Sequence, residues 1–394
     1  MTKRTALLVL AVALLPAPLR GQSLLNAAGI GLPADPVDAR ARALGGIGLG
    51  LRGASLLATD PAAAAFFDLP AVVMTAQPSW VELDRTDSDE TSTYRGTRFP
   101  LLGIAYPAFG LAVVTLSAES VLDQRFEVER PLSIDIGEGP EPATDEFVSD
   151  GGVSQVRLGV ARALSDNVAV GVSVGRYTGS VVRRLTRAID EDTTSTGPDI
   201  FDPYRSGGLW DYSGTSLTAG TGVTLGTFAR MAASLTWSGA LSAEASDDTE
   251  GDDRSFDIPL RLRVGASAVL APGLSVNAGL STADWSSIDD DLGEGASTGR
   301  TLSYGLGVEL TRATLFGRSA PLRFGYHHAD LPFALSGDGP TESALTGGLG
   351  LALSQAGELV RASVDLSLER GSRSDGLVDE RFWRAAVTLR LAGF

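Results

Sequence analysis

From Val72 to the C-terminus the chain alternates apolar with small or polar residues at a period of two. Val168-Ala-Val-Gly-Val-Ser-Val-Gly175 is one such run. Leu260-Arg-Leu-Arg-Val-Gly-Ala-Ser267, Leu274-Ser-Val-Asn-Ala-Gly-Leu-Ser281 and Val360-Arg-Ala-Ser-Val-Asp-Leu-Ser-Leu368 repeat the pattern. Neighbouring side chains on a strand point to opposite faces, so each run has one apolar face and one small or polar face. Fourteen runs are found, beginning near Val72, Arg98, Leu111, Val153, Val168, Thr215, Phe228, Ile258, Leu274, Thr301, Leu322, Ala344, Leu359 and Phe382. An even number of alternating segments of about ten residues is the signature of a membrane β-barrel.

A soluble sandwich also alternates, and the connections separate the two. Even-to-odd links are tight: Pro107-Ala-Phe-Gly110, Ser165-Asp-Asn167, Ala271-Pro-Gly273 and Gln355-Ala-Gly-Glu358, with a looser one over Leu315–Pro321. Odd-to-even links are long and acidic: Asp84–Thr97, Arg130–Asp150, Arg187–Trp210, Glu244–Asp257, Ser287–Gly299, Leu331–Thr341 and Gly371–Glu380. Outer-membrane barrels show this asymmetry, with short periplasmic turns and long external loops. The last segment, Arg381 to Phe394, ends in phenylalanine. It resembles the signal by which the barrel-assembly machinery recognises its clients, although Phe394 is out of phase with the apolar parity of Trp383, Ala385 and Val387.

Lys3 and Arg4 precede an apolar run over Ala6–Leu15, then Pro16 and Pro18. That order matches a secretory signal peptide over 1–21, cut near Gly21 or Gln22. The run is too short for a spanning helix, which needs about 20 residues. The whole chain carries 32 basic and 48 acidic side chains, a net charge of −16. This balance argues against a nucleic-acid partner. There is no cysteine, and the only histidines are His327 and His328. Disulfides, thiolate nucleophiles and cysteine-type metal sites are therefore excluded. No cofactor, metal or catalytic residue is expected. Neighbouring histidines on a strand diverge, with His327 toward the lumen. The acidic stretches Asp289–Glu294 and Asp247–Asp253 lack the spacing of a calcium loop and read as solvated loops.

Residues 22–71 do not alternate. Thr59 or Asp60 is placed to cap a short helix, with Pro61 at its first position. A segment ahead of a barrel has one obvious place to go, the lumen. Gly48-Leu-Gly-Leu-Arg-Gly53 spells a dinucleotide-binding pattern but opens no long helix after a strand. Close packing of backbone explains those glycines better. Ala41-Arg-Ala-Leu-Gly-Gly46 and Asp60-Pro-Ala-Ala-Ala-Ala-Phe-Phe-Asp-Leu-Pro-Ala71 resemble the N-terminal region of the FadL-type outer-membrane transporters. That resemblance implies fourteen strands, a small hatch inside the barrel, and passage of fatty-acid-like or other hydrophobic compounds. On it, Asp60, Phe66, Phe67, Asp68 and Pro70 are hatch residues. The family's Asn-Pro-Ala falls on Asp68, Pro70 and Ala71, with Leu69 inserted. The PorV-like scaffold barrels of a secretion system share the N-terminal pattern.

With the apolar parity toward lipid, the other parity places Arg157, Arg230, Arg261, Arg263, Arg323, Arg361, Arg384 and Arg390 in the lumen. Glu119, Glu309, Asp365 and Glu369 face them. A guanidinium offers a planar fork to a carboxylate or phosphate, so the first six are candidate contacts for an anionic amphiphile. Pairing with lumen and hatch acids is the competing reading. Trp80, Trp237, Trp285, Tyr304, Phe324, Tyr326, Phe382 and Trp383 read as interface girdles. The expectation is an all-β protein, a transmembrane antiparallel β-barrel of about 14 strands with an N-terminal lumenal hatch. Its regions are a signal peptide (1–21), hatch (22–71) and barrel (72–394). Its expected place is the outer membrane of a Gram-negative-type bacterium, in contact with outer-membrane lipid, and its expected work is passive uptake of hydrophobic or amphipathic small molecules. A PorV-like scaffold and a general porin are the alternatives.

Overall fold

The computed structural model describes residues 23–46, 48–85, 91–108, 110–135, 139–189, 202–292, 298–315, 317–335, 339–356 and 359–393. The expected leader and Phe394 lie outside them. Fourteen strands form the wall: β1 (Ala71–Arg85), β2 (Thr91–Ala108), β3 (Ala112–Asp123), β4 (Pro140–Ala163), β5 (Val168–Ile189), β6 (Tyr204–Leu225) and β7 (Ala229–Ser238). Then come β8 (Arg261–Ala271), β9 (Leu274–Asp284), β10 (Arg300–Leu310), β11 (Leu322–Asp330), β12 (Thr341–Ala356), β13 (Leu359–Ser374) and β14 (Val378–Ala392). Each pairs antiparallel with the next. β14 pairs back onto β1, from Ala71 opposite Ala392 to Arg85 opposite Val378, which closes the barrel.

The two faces separate as the alternation requires. Leu102, Ile104, Leu116, Leu158, Val172 and Leu306 are exposed on the outside. Between them Ser117, Glu119, Arg157, Ser173, Arg263 and Glu309 are buried on the inside. A one-residue slip would turn arginines toward lipid at about 2–4 kcal/mol each near the midplane, so the register is pinned. The short turns hold: Pro272 and Gly273 alone separate β8 from β9. No helix of the described residues is long and apolar enough to cross a membrane.

The long links differ from expectation. Much of Asp84–Thr97, Arg130–Asp150 and Arg187–Trp210 is strand, because β2 starts at Thr91, β4 at Pro140 and β6 at Tyr204. Phe126–Asp135 pairs with the start of β4, and Leu241–Ala245 pairs with β6. Beyond the bilayer both strand faces meet water. The hydrogen-bonded ladder continues there without an apolar face, so period-two reading stops too early.

Residues 23–70 lie against the inward face of this wall. Asp38 caps a helix over Ala39–Ala43, and its carboxylate accepts from the Ala41 N–H. Asp60 caps a 3-10 helix over Pro61–Phe66 with Pro61 in the first turn, as the sequence leads one to expect. The first helix sits on β11–β14, the second on β3–β6. At two places backbone rests directly on the wall. A Cβ on Gly171 would stand 2.4 Å from the Pro61 carbonyl, and one on Gly265 2.3 Å from the Leu49 carbonyl oxygen. Only glycine allows so close an approach. Two apolar clusters fill the interior. One joins Val37, Leu44, Leu51, Leu56, Leu57 and Phe67 to Val73, Leu101, Ala105 and Val113 of β1–β3. The other, at the long-loop end, gathers Tyr177, Tyr212, Phe256, Trp285, Ile288 and Phe333.

Candidate functional site

The lumen is charged, and most of its charge is paired. Arg230 lies on β7 and meets Asp60 of the N-terminal segment at 2.5 and 3.0 Å, both side chains almost wholly buried. The same carboxylate accepts from the Gly50 and Ala63 N–H groups at 3.0 and 3.1 Å. Arg230 also donates to the Leu51 carbonyl and lies over the Phe66 ring, 5.7 Å from its centroid. On β10 and β11, Arg323 bridges Glu309 at 2.8 Å and Asp365 at 2.5 Å, and Arg40 meets Glu309 at 2.9 Å. Arg157 donates to Gln155, Ser173 and Thr218 and stands 3.5 Å from Glu119. Arg390 reaches Asp38 at 3.5 Å.

A second network lies nearer the long loops. Glu342 accepts from Arg373, lies 3.3 Å from Arg384 and bonds the His327 Nε2 at 2.9 Å. Arg384 also meets Glu369 at 3.2 Å, and Arg373 meets Glu380 at 3.3 Å. Glu380 accepts from the Ser23 hydroxyl and the Leu24 N–H, both at 2.8 Å, which fixes the start of the described chain to β14. Potential ligand atoms of His327, Glu342 and Glu369 lie within 4.8 Å of one another. That spacing suits a metal, but the charge does not. Arg42, Arg373 and Arg384 already balance Glu342, Glu369 and Glu380, so a dication would leave the buried group strongly positive.

Five of the six candidate arginines face inward, and Arg361 does not. It is exposed. The β12–β13 ladder passes from Ser354 opposite Ala362 to Gln355 opposite Val360, so Arg361 is the extra residue of a bulge and leaves the lumen parity. Among the hatch residues, Asp60 is engaged as described and Phe67 is buried, while Asp68 is exposed. Pro70 offers its carbonyl to the Gly393 N–H. Neither Asp60 nor Asp68 reaches Arg261 or Arg263. Two aromatic residues leave the expected girdles. Trp285 is buried on a 3-10 helix against Phe333, ring centroids 5.2 Å apart. Phe382 is buried beneath Arg373 and Arg384.

The long-loop end holds a cavity of about 380 Å³ lined by Trp210, Tyr212, Phe256 and Phe333 and by the polar side chains of Arg183, Glu250, Arg254 and Thr298. Deeper in, smaller cavities of about 60 and 80 Å³ flank Arg261 and Arg263. The arrangement offers a partly aromatic chamber at the long-loop end, a charged interior and an N-terminal segment packed on the inward wall. His328 meets the Ser343 hydroxyl through Nδ1 at 2.8 Å, and its Nε2 stands 3.7 Å from Asp330, beyond hydrogen-bond reach.

No known family model matches the sequence, and no curated protein does. Solved structures do resemble the fold. A Pseudomonas aeruginosa FadL homologue superposes with a TM-score of 0.63 at 11% identity, over 92% of this chain and 99% of its own. The Ralstonia pickettii toluene transporter TbuX gives 0.59 at 16%, over 91% and 99%. The CymD monoaromatic hydrocarbon channel gives 0.58 at 15%, over 92% and 98%. Along nearly its whole length the chain therefore has the fold of the FadL-type channels.

Proposed function

We propose that this protein is an outer-membrane channel for the passive uptake of hydrophobic or amphipathic small molecules, in the outer membrane of a Gram-negative-type bacterium. The observation that carries the reading is an aromatic-lined outer chamber above a barrel whose bore is packed with its own N-terminal residues. An open bore would admit any small solute. A packed bore beneath a chamber walled by aromatic rings and charged side chains favours a compound that can first lie on those rings. The named functions of the similar structures, channels for toluene and other monoaromatic hydrocarbons and a FadL homologue, support the same reading.

In this reading residues 22–71 act as a hatch, braced to the wall by Asp60 and by the contacts of Ser23. Passage requires the hatch to shift or the wall to part. The β3–β4 ladder loses register between Ser120 and Leu122 and is a weak place in the wall. No cofactor or chemistry takes part. The apolar outer face meets outer-membrane lipid, and the C-terminal strand with Phe394 addresses the assembly machinery. The test is uptake by cells lacking other hydrophobic channels. Cells expressing the barrel should accumulate a radiolabelled medium-chain fatty acid or toluene faster than empty-vector cells, and small sugars no faster. Sugar entry without hydrophobic uptake would make the protein a porin.

A further inference from the structure

Aromatic girdles account for tryptophans on the lipid-facing wall, but not for arginines set on either side of them. One row of cross-strand partners has that composition. On β2, β1, β14 and β13 it reads Arg95, Trp80, Trp383, Arg370, each the direct partner of the next. Direct partners share a face of the sheet, and all four side chains are exposed. The row spans three strand spacings, about 14–15 Å. It is bounded at both ends. Arg95 precedes Leu101, where β2 begins to pair with β3, and beyond Arg370 the next partner is the apolar Leu345. The row stands toward the β1–β2 and β13–β14 connections, at the long-loop end of the barrel.

Neither Arg95 nor Arg370 makes a hydrogen bond or ion pair among the described residues. Arg370 lies over the Trp383 ring, 5.2 Å from its centroid, and stacking there leaves the N–H edge of the guanidinium free to donate. On the bilayer side, the next residues of the same face are Thr97, Pro78, Ala385 and Leu368, none of them charged. On the water side they are Thr93, Glu82, Arg381 and Ser372, in which one acid and one base cancel. Arg381 also meets Asp84 at 2.8 Å, and Asp84 and Asp379 stand one row further out. The acids therefore begin above the row, which itself holds two cations and no acid, in a chain whose net charge is −16.

A ligand that matches cation, indole, indole, cation in line has an anion at each end and two rings between. A disaccharide with a phosphate at each end has this form. Its sugar rings lay their C–H faces on the indoles, and each phosphate accepts the planar fork of one arginine. Leu345, Leu366 and Leu368, exposed beside and below the row, offer a surface for acyl chains hanging from such a head. A phospholipid with one phosphate and no ring would leave one arginine and both indoles unused.

We propose that Arg95, Trp80, Trp383 and Arg370 form a site on the outside of the wall for an external-leaflet glycolipid whose head is a disaccharide carrying a phosphate at each end. The site faces lipid and not the lumen, so it is independent of what the channel conducts. It rests only on the placement of the barrel in an outer membrane with its long links outside.

The test is native mass spectrometry of the full barrel, titrated with diphosphoryl lipid A, monophosphoryl lipid A and dioleoylphosphatidylglycerol. Diphosphoryl lipid A should form a one-to-one adduct. It should bind at least about tenfold more tightly than the monophosphoryl form, as one further set of charge-assisted bonds to a guanidinium requires. Phosphatidylglycerol should be weaker still. Arg95→Gln and Arg370→Gln should each bring diphosphoryl lipid A down to about the monophosphoryl level, and the double variant should bind the two forms alike. Trp80→Leu/Trp383→Leu should weaken both forms of lipid A and leave phosphatidylglycerol unchanged. Arg300→Gln, an exposed arginine of β10, is the control and should change nothing. All four positions of the row are exposed, so the variants should fold, and heat-modifiable mobility on gels checks this. Equal binding of the three lipids by the wild type, or a diphosphoryl preference indifferent to glutamine, overturns the proposal. Tighter binding of phosphatidylglycerol than of either lipid A would assign the row to a phospholipid head and overturn it as well.

Discussion

Removing the charge of Asp60 should release the N-terminal segment from the wall. Its carboxylate holds Arg230 in a two-pronged pair and also accepts the Gly50 and Ala63 N–H groups. Both side chains of the pair are 2% exposed, so the arginine left behind has no water to turn to. Breaking such a buried pair from one side costs about 3–5 kcal/mol. Asp60→Asn keeps an oxygen to cap the 3-10 helix and should cost about that much. Asp60→Ala also loses the cap and the Gly50 bond, roughly 1 kcal/mol each, and should cost about 5–7 kcal/mol. Asp60→Asn/Arg230→Met removes both charges, and most of the penalty should return, because the desolvated cation has gone with its partner. Two assays separate local from global effects. Chemical denaturation in lipid reads the stability of the whole barrel, and planar-bilayer recording reads whether the bore has opened. Asp60→Asn should raise ion conductance well before the strands unfold, and the double variant should fall back toward wild type. Wild-type conductance and stability in Asp60→Asn would refute the brace. So would a double variant as perturbed as the sum of its parts.

Other consequences are as direct. Deleting residues 23–70 should leave a folded barrel of larger conductance, and unchanged conductance would put the segment outside the ion path. Gly265→Leu drives a side chain into the Leu49 carbonyl and should displace the segment and raise conductance, whereas Ala266→Leu, on the lipid side of the same strand, should do neither. Protease added to intact cells should cut within 187–210 or 244–257 and spare 107–110 and 271–273; cleavage confined to the short turns would invert the topology. Ser281→Leu projects into the inner cavity beside Arg263 and should slow uptake without lowering stability, and normal uptake would take that cavity off the route.

The wall was legible because each strand solves the same two-sided problem. Where lipid lies on one side and polar lumen on the other, residues such as Leu262, Arg263, Val264 and Ser267 must alternate, and the pattern survives in a single sequence. Legibility failed where one of the two sides changed. Glu342, Arg373 and Glu380 belong to the network that holds Ser23, yet Arg373 and Glu380 read as loop and Glu342 falls just before its alternating run. Arg98 and Asp123 fall at the ends of their runs for the same reason. Arg361 failed differently, because a bulge shifts parity by one residue and leaves no mark on composition. The pairing of Arg230 with Asp60 joins residues far apart in the chain. Strand parity could place the arginine inward, but only the path of the N-terminal segment could bring the acid to it.

That path also divides the lumen into unlike halves. On the β1–β3 side the segment is held by apolar packing, with Leu51, Leu56, Leu57 and Phe67 against Val73, Leu101 and Val113. Separating that side would expose apolar surface to water at about 25 cal/mol per Å². On the side of β7 to β10 its contacts are polar, and the small cavities beside Arg261 and Arg263 already leave a gap. The Arg230–Asp60 pair on β7 is the strong point of that side, because neither charge has water to turn to once the pair parts. Once the Asp60 brace is released, the segment should therefore yield beside these cavities before it yields along β1–β3. The buried brace and the cavities beside it thus fall in one sector of the barrel, which is where release of the segment has to begin.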